Sequence, residues 1–495
     1  MSRRTLTAGL AAGLAVATTL TVTTVPVHAA RQPSVKFPSA KFPLGVPAVP
    51  TRTMTSVAQG IELYDVKAGR STDGYTVTVL MPSGRDYGMR PTAEAKLAEV
   101  EATGEVGSLQ TVVRPSVADA PAQEVYMVRV GLWKFEEKAK ADETAKKLKD
   151  AGLKVKVDYL GDDGLKTTGP WNVKVMMIDP RAFRGSYAAS LGSSVAKRET
   201  VSEMAKAGKA LAAVNGGFFN IHTAKELRGE PLGASVVAGK LLSEAVPGRS
   251  AVVLKGRTVR VTELKTIVTA IAQEGEKLPV NGVNRAALTD ELVLYTEEYG
   301  AKTPADGGTD VLLDPNGKVV GVRVSGAEVA RGTRVLHGSG VAADWLNAHA
   351  LEGSTVKVDT RLVDLRKGKT LKLTPDLHVI AGGVGLVRNG KTRITAKRDG
   401  HDSLNMILRR HPRTLLGTTR NGTLVLAAID GRQPGVTVGA SFIEAAQFMR
   451  WLGARDAINL DGGGSTAMVA NGKVVNRPSD GSERPVGDAL LVLPK

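Results

Sequence analysis

The 495-residue chain contains no cysteine. Disulfides, thiol catalysis and cysteine-ligated zinc are therefore excluded, and stability must come from core burial, which a chain of this length can supply. Aromatic residues make up only 4% of the chain, but the apolar fraction of 42% is ordinary for a globular protein. Several functional signatures are also missing. There is no G-x-S-x-G elbow and no H-E-x-x-H pair. The seven histidines are scattered without ligand spacing. After the N-terminal segment, no run approaches the ~20 apolar residues that span a bilayer.

The N-terminus carries Arg3 and Arg4, then an Ala/Leu/Val/Thr run ending in Val27-His28-Ala29-Ala30. A basic start, an apolar middle and small residues at the end describe a secretory signal peptide over residues 1–29, cleaved after Ala29, with no stable membrane insertion afterwards. The expected location is secreted, in contact with the cell wall. The formal charge of +17 then points to anionic wall polymers rather than nucleic acid. Residues 30–59, rich in Pro, Val and Lys, read as a linker or extended arm.

From residue 60 to 165 a strand-helix-strand order occurs twice. The strands are YTVTVLM, SLQTVVRP, VYMVRVG and LKVKVDYLG. The helices are PTAEAKLAEVEATG and FEEKAKADETAKKLKDAG. This predicts a ferredoxin-like βαββαβ domain. Residues 171–495 read as an α+β catalytic domain, a mixed sheet with many hairpins and few helices. Asn-Gly pairs at 316–317, 389–390, 421–422 and 471–472 mark hairpins. Ser441/Glu444 and Thr200/Glu203 form capping boxes opening helices over 441–453 and 201–210.

Each of those helices leads into a short apolar strand, a polar residue and glycines: LAAVNGGFFN and DAINLDGGGST. Asn215 and Asp461 are delivered to a strand end. Gly216, Gly217, Gly462, Gly463 and Gly464 would leave N–H groups open as a concave anion site. The glycines after Asp461 are followed by a hairpin rather than a helix, which excludes a dinucleotide fingerprint. A hairpin over residues 410–435 brings Arg413, a natural phosphate partner, and Asp430. The stretch RPSDGSERPVGDALLVL contributes Asp480, Arg484 and Asp488 before a final strand.

VNGGFFN, RHPRTLLG, AAIDGRQPG and AINLDGGGSTAM, in this order, resemble the phosphodiester glycosidase family, over residues 171–495. The stretch YMVRVGLWKFEEKAKADETAKKLKDAGLKVKVDYLG resembles SPOR domains, which bind peptidoglycan glycan strands. The first resemblance implies hydrolysis of N-acetylglucosamine-type sugar-1-phosphodiesters between the anomeric carbon and oxygen. Asp461 and Asp430 are then the carboxylate candidates. Asn215 would position a sugar hydroxyl or acetamido group. Arg413 and the N–H groups of the glycines would clamp phosphate, with Ser465, Thr466 and Arg484 as further contacts. No cofactor is required by this chemistry. The partners are a sugar phosphate or anionic wall glycopolymer and peptidoglycan strands. Two alternatives stay open: a non-catalytic wall-binding protein, and a phosphodiesterase using Ca²⁺ or Mg²⁺ held by Asp and Asn oxygens.

Overall fold

The strand Leu424–Ile429 is apolar throughout, and every one of its residues is buried. Leu424, Leu426 and Ala428 enter one core and Val425, Ala427 and Ile429 another. A strand with two apolar faces must lie in a sheet covered on both sides. In the computed structural model, which describes Met1 and residues 37–222 and 228–495, that sheet has eight strands. Their order is Thr51–Ala58, Ile61–Ala68, Trp171–Ile178, Leu424–Ile429, Arg413–Thr419, Ala454–Asn459, Val384–Arg388 and Lys391–Thr392. The helix Phe442–Trp451 covers one face. It opens with the expected box, Ser441 Oγ accepting from the Glu444 N–H at 3.1 Å and Glu444 reaching back to the Ser441 N–H at 2.9 Å. Phe442, Ala445, Met449 and Leu452 are buried as its periodicity requires.

The other face packs on a five-stranded sheet ordered Lys473–Val474, Met468–Ala470, Ala212–Asn215, Ala489–Leu493 and Ser186–Ser190. A further sheet, built around Ser250–Lys255 and Thr258–Ile271, adds Val252 and Leu254 to the same core. Its opposite side joins a distal five-stranded sheet through Val253, Leu264, Leu294 and Leu336. All four Asn-Gly pairs lie between antiparallel partners. The protein is a sheet-dominated α+β fold. No helix among the described residues is long and apolar enough to cross a membrane.

Strands Tyr75–Val79, Gly107–Arg114, Gln123–Trp133 and Val155–Tyr159 form a separate antiparallel sheet. Spatially, Tyr75–Val79 and Gln123–Trp133 are central. Helices Arg90–Glu101 and Lys138–Asp150 bury Ala93, Val100, Ala145 and Leu148 against Val77, Val79, Val128 and Val130. This module does not precede the larger body. Ile61–Ala68 pairs residue by residue with Trp171–Ile178, so the module is an excursion between two adjacent strands of the large sheet. Its seam is apolar and ionic: Val112, Val125 and Met127 pack on Leu404 and Leu408, and Arg409 meets Asp86 at 3.0 Å and Asp158 at 2.5 Å, with all three charged side chains largely buried.

The arm expected over residues 30–59 is corrected where it is described. Thr51–Ala58 is a strand of the large sheet. Phe37, Phe42 and Leu44 are buried in the core with the helix Phe442–Trp451. The Phe42 ring lies 5.7 Å from Trp171, 5.7 Å from Phe448 and 5.8 Å from Trp451. Isolated apolar residues among prolines show no period, so the sequence pattern gives no sign of docking. The signal peptide over residues 1–29 lies, apart from Met1, outside the described residues. Phe42→Ala should destabilise the chain by about 3–5 kcal/mol in urea unfolding; an undocked arm would leave the midpoint unchanged.

Candidate active site

Two sheet ends meet here. Ala454–Asn459 leaves the large sheet into Asp461, and Ala212–Asn215 leaves the five-stranded sheet into Gly216. Asn215 joins them. Its Nδ2 donates to the Asp461 carbonyl at 2.9 Å. Its Oδ1 accepts from Thr414 Oγ1 at 2.6 Å and from the Ala467 N–H at 3.1 Å. The side chain is fully buried. The amide expected to hold a sugar group is thus occupied within the protein, and Asn215 acts on the site by fixing Asp461.

The Ala489–Leu493 strand pairs Ala489 with Asn215, which places Asp488 beside Gly216. The Gly217 N–H donates to Asp488 Oδ1 at 2.8 Å, and the Gly216 N–H to the Asp488 carbonyl at 2.9 Å. The Asp461 N–H donates to the Gly216 carbonyl at 2.9 Å. Asp461 and Asp488 therefore meet on Gly216 through their backbones, and the Asp488 carboxylate also holds Gly217. Burial pushes the Asp488 carboxyl up to about 7; the Gly217 N–H opposes this and the Asp461 charge adds to it. Burial pushes Asp461 up to about 6, against hydrogen bonds from Ser465 and the Gly462 N–H and the charges of Arg484 and Arg413. Asp488 Oδ2 is buried without a hydrogen-bond partner. Two carboxylates with different proton affinities in one electrostatic environment suit acid/base work. Sequence reasoning noted Asp488 only as part of a polar loop. The signal that could have found it is Gly487-Asp488 ahead of an apolar strand, a polar residue at a strand end as at Asn215 and Asp461.

Asp430 does not join this pair. Its Oδ1 accepts from Asn476 Nδ2 at 3.2 Å and the Arg477 N–H at 3.0 Å, and Asn476 in turn holds the Thr466 carbonyl and the Met468 N–H. Burial raises its pKa to about 6, and the charges it senses are Lys174 and Asp65. It braces the 466–477 hairpin from below.

Cations surround Asp461. Arg413 is 1% exposed and lies 4.2 Å from the Phe442 ring centroid. It donates to the Ala440 carbonyl at 2.8 Å and the Met406 carbonyl at 3.0 Å. Among the described residues no carboxylate pairs with it, and burial pulls its pKa down to about 9. A guanidinium left charged but unneutralised is a standing anion site. Arg432, which the sequence reading did not single out, packs over Gly463, and Arg484 with its partner Asp480 packs over Gly464. A Cβ on Gly463 would meet Arg432 Nη1 at 3.1 Å, and one on Gly464 would meet Arg484 Nη2 at 2.2 Å. A Cβ on Gly216 would meet Asp488 Oδ1 at 2.3 Å.

The expected nest of open N–H groups is corrected by the same geometry. The Gly462 N–H donates to Asp461 Oδ1 at 2.8 Å and the Gly463 N–H to the Pro412 carbonyl at 2.9 Å. Those glycines make room for charged side chains. Ser465 and Thr466 are each 1% exposed, and Thr466 Oγ1 has no partner. At the far side of the glycine pair, Phe218 stacks on His401 with ring centroids 4.0 Å apart. Among the described residues no group of three or more Asp, Glu or His side chains has metal-holding geometry. A hollow of about 360 Å³ on the distal sheet, lined by Leu241, Leu294 and Arg334, involves none of these side chains.

Residues 309–493 match the phosphodiester glycosidase family. That stretch includes Arg413, Asp461, Arg484 and Asp488, while Asn215 to Gly217 lie outside it. Over 185 residues the chain is 32% identical to YomE, an uncharacterised prophage-derived protein of Bacillus subtilis (strain 168), covering 36% of this chain and 26% of YomE. It is 35% identical over 117 residues to the N-acetylglucosamine-1-phosphodiester alpha-N-acetylglucosaminidase of Homo sapiens, covering 21% of this chain and 22% of that enzyme. The chain thus spans about a quarter of these relatives' length. A crystal structure of a Burkholderia pseudomallei K96243 protein, named as an exported protein, superposes with TM-score 0.81 at 28% identity, covering 93% of this chain and 99% of that one.

Asp488 binds its proton more tightly folded than unfolded. Its contribution to stability is fully present below the unfolded pKa of about 4 and is lost as pH rises through about 7. Asp488→Asn should remove that share of the decline and unfold later than wild type at pH 8, by on the order of a few kcal/mol. Urea titrations at pH 4 and pH 8 check this; a variant equally destabilised at both would contradict it.

Proposed function

Because the chain carries a phosphodiester glycosidase domain, we propose that it hydrolyses sugar-1-phosphodiesters at the bond between the anomeric carbon and the phosphate oxygen. Water supplies the new hydroxyl at the anomeric carbon, and the phosphate leaves as a monoester with the bonding electrons. The observation that carries this reading is that Asp461 and Asp488 both hydrogen-bond Gly216, beside a buried guanidinium that, among the described residues, pairs with no carboxylate.

The chemistry fits the charges. Phosphate is already a good leaving group, so the main demands are to hold its charge and to support a positive anomeric centre. Arg413, Arg432 and Arg484 answer the first demand. Asp461, the lower of the two carboxyls, is ionised at neutral pH and answers the second as base or nucleophile. Asp488 is half-protonated near neutral pH and is suited to give or take the proton. The N-terminal signal and the charge of +17 favour an anionic wall glycopolymer as the natural substrate. The module over residues 75–159 is proposed to grip glycan strands, on its resemblance to SPOR domains.

Phosphorus NMR of the mature chain with an N-acetylglucosamine-1-phosphodiester should show a growing phosphomonoester signal together with free reducing sugar. Asp461→Asn should slow it by about 10²–10⁴-fold. Asp430→Asn should act only through stability and leave the rate of the folded fraction within about threefold of wild type. Formation of sugar-1-phosphate, or loss of turnover on chelation, would instead identify a metal-dependent phosphodiesterase.

A further inference from the structure

Arg432 adopts φ +56°, a left-handed conformation that costs a non-glycine residue roughly 1 kcal/mol or more. That backbone turns its guanidinium back over Gly463. Two contacts meet it there. Arg432 Nη2 lies 3.1 Å and Nε 3.4 Å from His411 Nδ1. His411 Nε2 lies 3.0 Å from Asn405 Oδ1 and 3.3 Å from the Asn405 carbonyl. Asn405 offers only acceptors on that side, so Nε2 carries the imidazole proton and Nδ1 is left as the acceptor for Arg432. The tautomer is held against protonation. Burial, then the charges of Arg413 and Arg432, pull the His411 pKa down to about 2.

The same short helix serves the other guanidinium. Asn405 and Met406 lie within Leu404–Leu408, and the Met406 and Arg409 carbonyls accept from Arg413 Nη2 at 3.0 and 3.5 Å. Arg409 pins this segment to Asp86 and Asp158 of the small module. One segment thus reaches two cations of the site by different routes: carbonyls to Arg413, and an amide through an imidazole to Arg432.

We infer that Asn405 and His411 are positioning residues for Arg432, an oriented neutral relay that aims this guanidinium at an anion seated over Gly463 while Arg409 ties the relay to the small module. The inference rests on the reading of the site as a phosphate clamp. The relay requires a hydrogen-bond acceptor at the position of Nδ1, and packing alone does not supply it. Asparagine places its Oδ1 near the position of a histidine Nδ1, whereas leucine fills the volume with no acceptor.

Sulfate binding to the full mature chain, measured by calorimetry at pH 7.5 with folding checked by thermal unfolding, separates these roles. Wild type should bind sulfate, His411→Leu should bind about tenfold or more weakly, and His411→Asn should recover to within about threefold of wild type. Equal affinity of wild type and His411→Leu overturns the inference. Equal loss in His411→Leu and His411→Asn overturns it as well, because the acceptor would then not be what matters. Absence of sulfate binding by the wild-type chain is a different failure: it removes the clamp and with it the proposed function.

Discussion

Everything at the site hangs on one buried carboxamide. Asn215 sits at the end of a strand in the five-stranded sheet and reaches Asp461 and Thr414 of the eight-stranded one. Its hydrogen bonds cross between sheets whose main contact is apolar, through Val214 and Leu490 against Leu416 and Ile458, and they add to the ties of Asp461 to Gly216 and Asp430 to Asn476. Apolar packing is non-directional and tolerates small slips. A saturated buried amide does not, because a displaced partner would leave an unpaired polar group out of water at a cost of about 1–3 kcal/mol. The amide therefore converts a sliding interface into a fixed register. Asp461 on one sheet and Asp488 on the other can then meet on Gly216 reproducibly.

Among the described residues Arg413 has no carboxylate partner, whereas Arg484 pairs with Asp480. Arg413 spends its donors on carbonyls and an aromatic face, which hold its orientation without cancelling its charge. Its neighbours are paired: Arg409 has Asp86 and Asp158, and Arg410 has Glu444 at 2.7 Å. The contrast sets the paired Arg409 and Arg410 apart from Arg413 within four residues of one another. The carboxylates divide less cleanly, since Asp430, which braces a hairpin, is also raised by burial. Asp158 is held below the usual carboxylate range; its burial works against ionisation, but Arg409 outweighs it. Asp461 and Asp488 are pushed up.

What could be read from the sequence was local. The box at Ser441/Glu444 and the stripe of Phe442, Ala445 and Met449 define their helix without reference to the rest of the chain. The helix opened by Thr200 and Glu203 is equally clear, although it ends at Ala207 rather than Ala210, where Gly208 stops it. Asn-Gly pairs fix hairpins for the same reason. The misreadings concern contacts between segments far apart in the chain. Asp430 and Asp488 are both acids next to glycine at a strand end, and no local pattern says which faces Asp461. That is decided by the pairing of Ala489 with Asn215, across more than half the chain. Phe42 looks like a residue of a linker until Trp171 and Phe448 are placed around it. The glycines after Asp461 were read for their N–H groups because sequence shows what a glycine frees, and not which side chain will occupy the space.

The small module illustrates how such non-local contacts constrain function. A domain joined by a flexible linker could bind a polymer in any orientation, and its benefit would be a raised local concentration. Here the strands on either side of the excursion, Ile61–Ala68 and Trp171–Ile178, are direct neighbours in the large sheet. The seam carries the buried pairs of Arg409 with Asp86 and Asp158, and an apolar contact of Val112, Val125 and Met127 with Leu404 and Leu408. Breaking a buried pair by removing one partner costs roughly 3–5 kcal/mol, so rigid attachment is the low-energy state. A strand of polymer held on this module would meet the site at one angle only. The module would then determine which phosphodiester along the polymer reaches Asp461, and substrate selection would be a matter of spacing as much as of sugar identity.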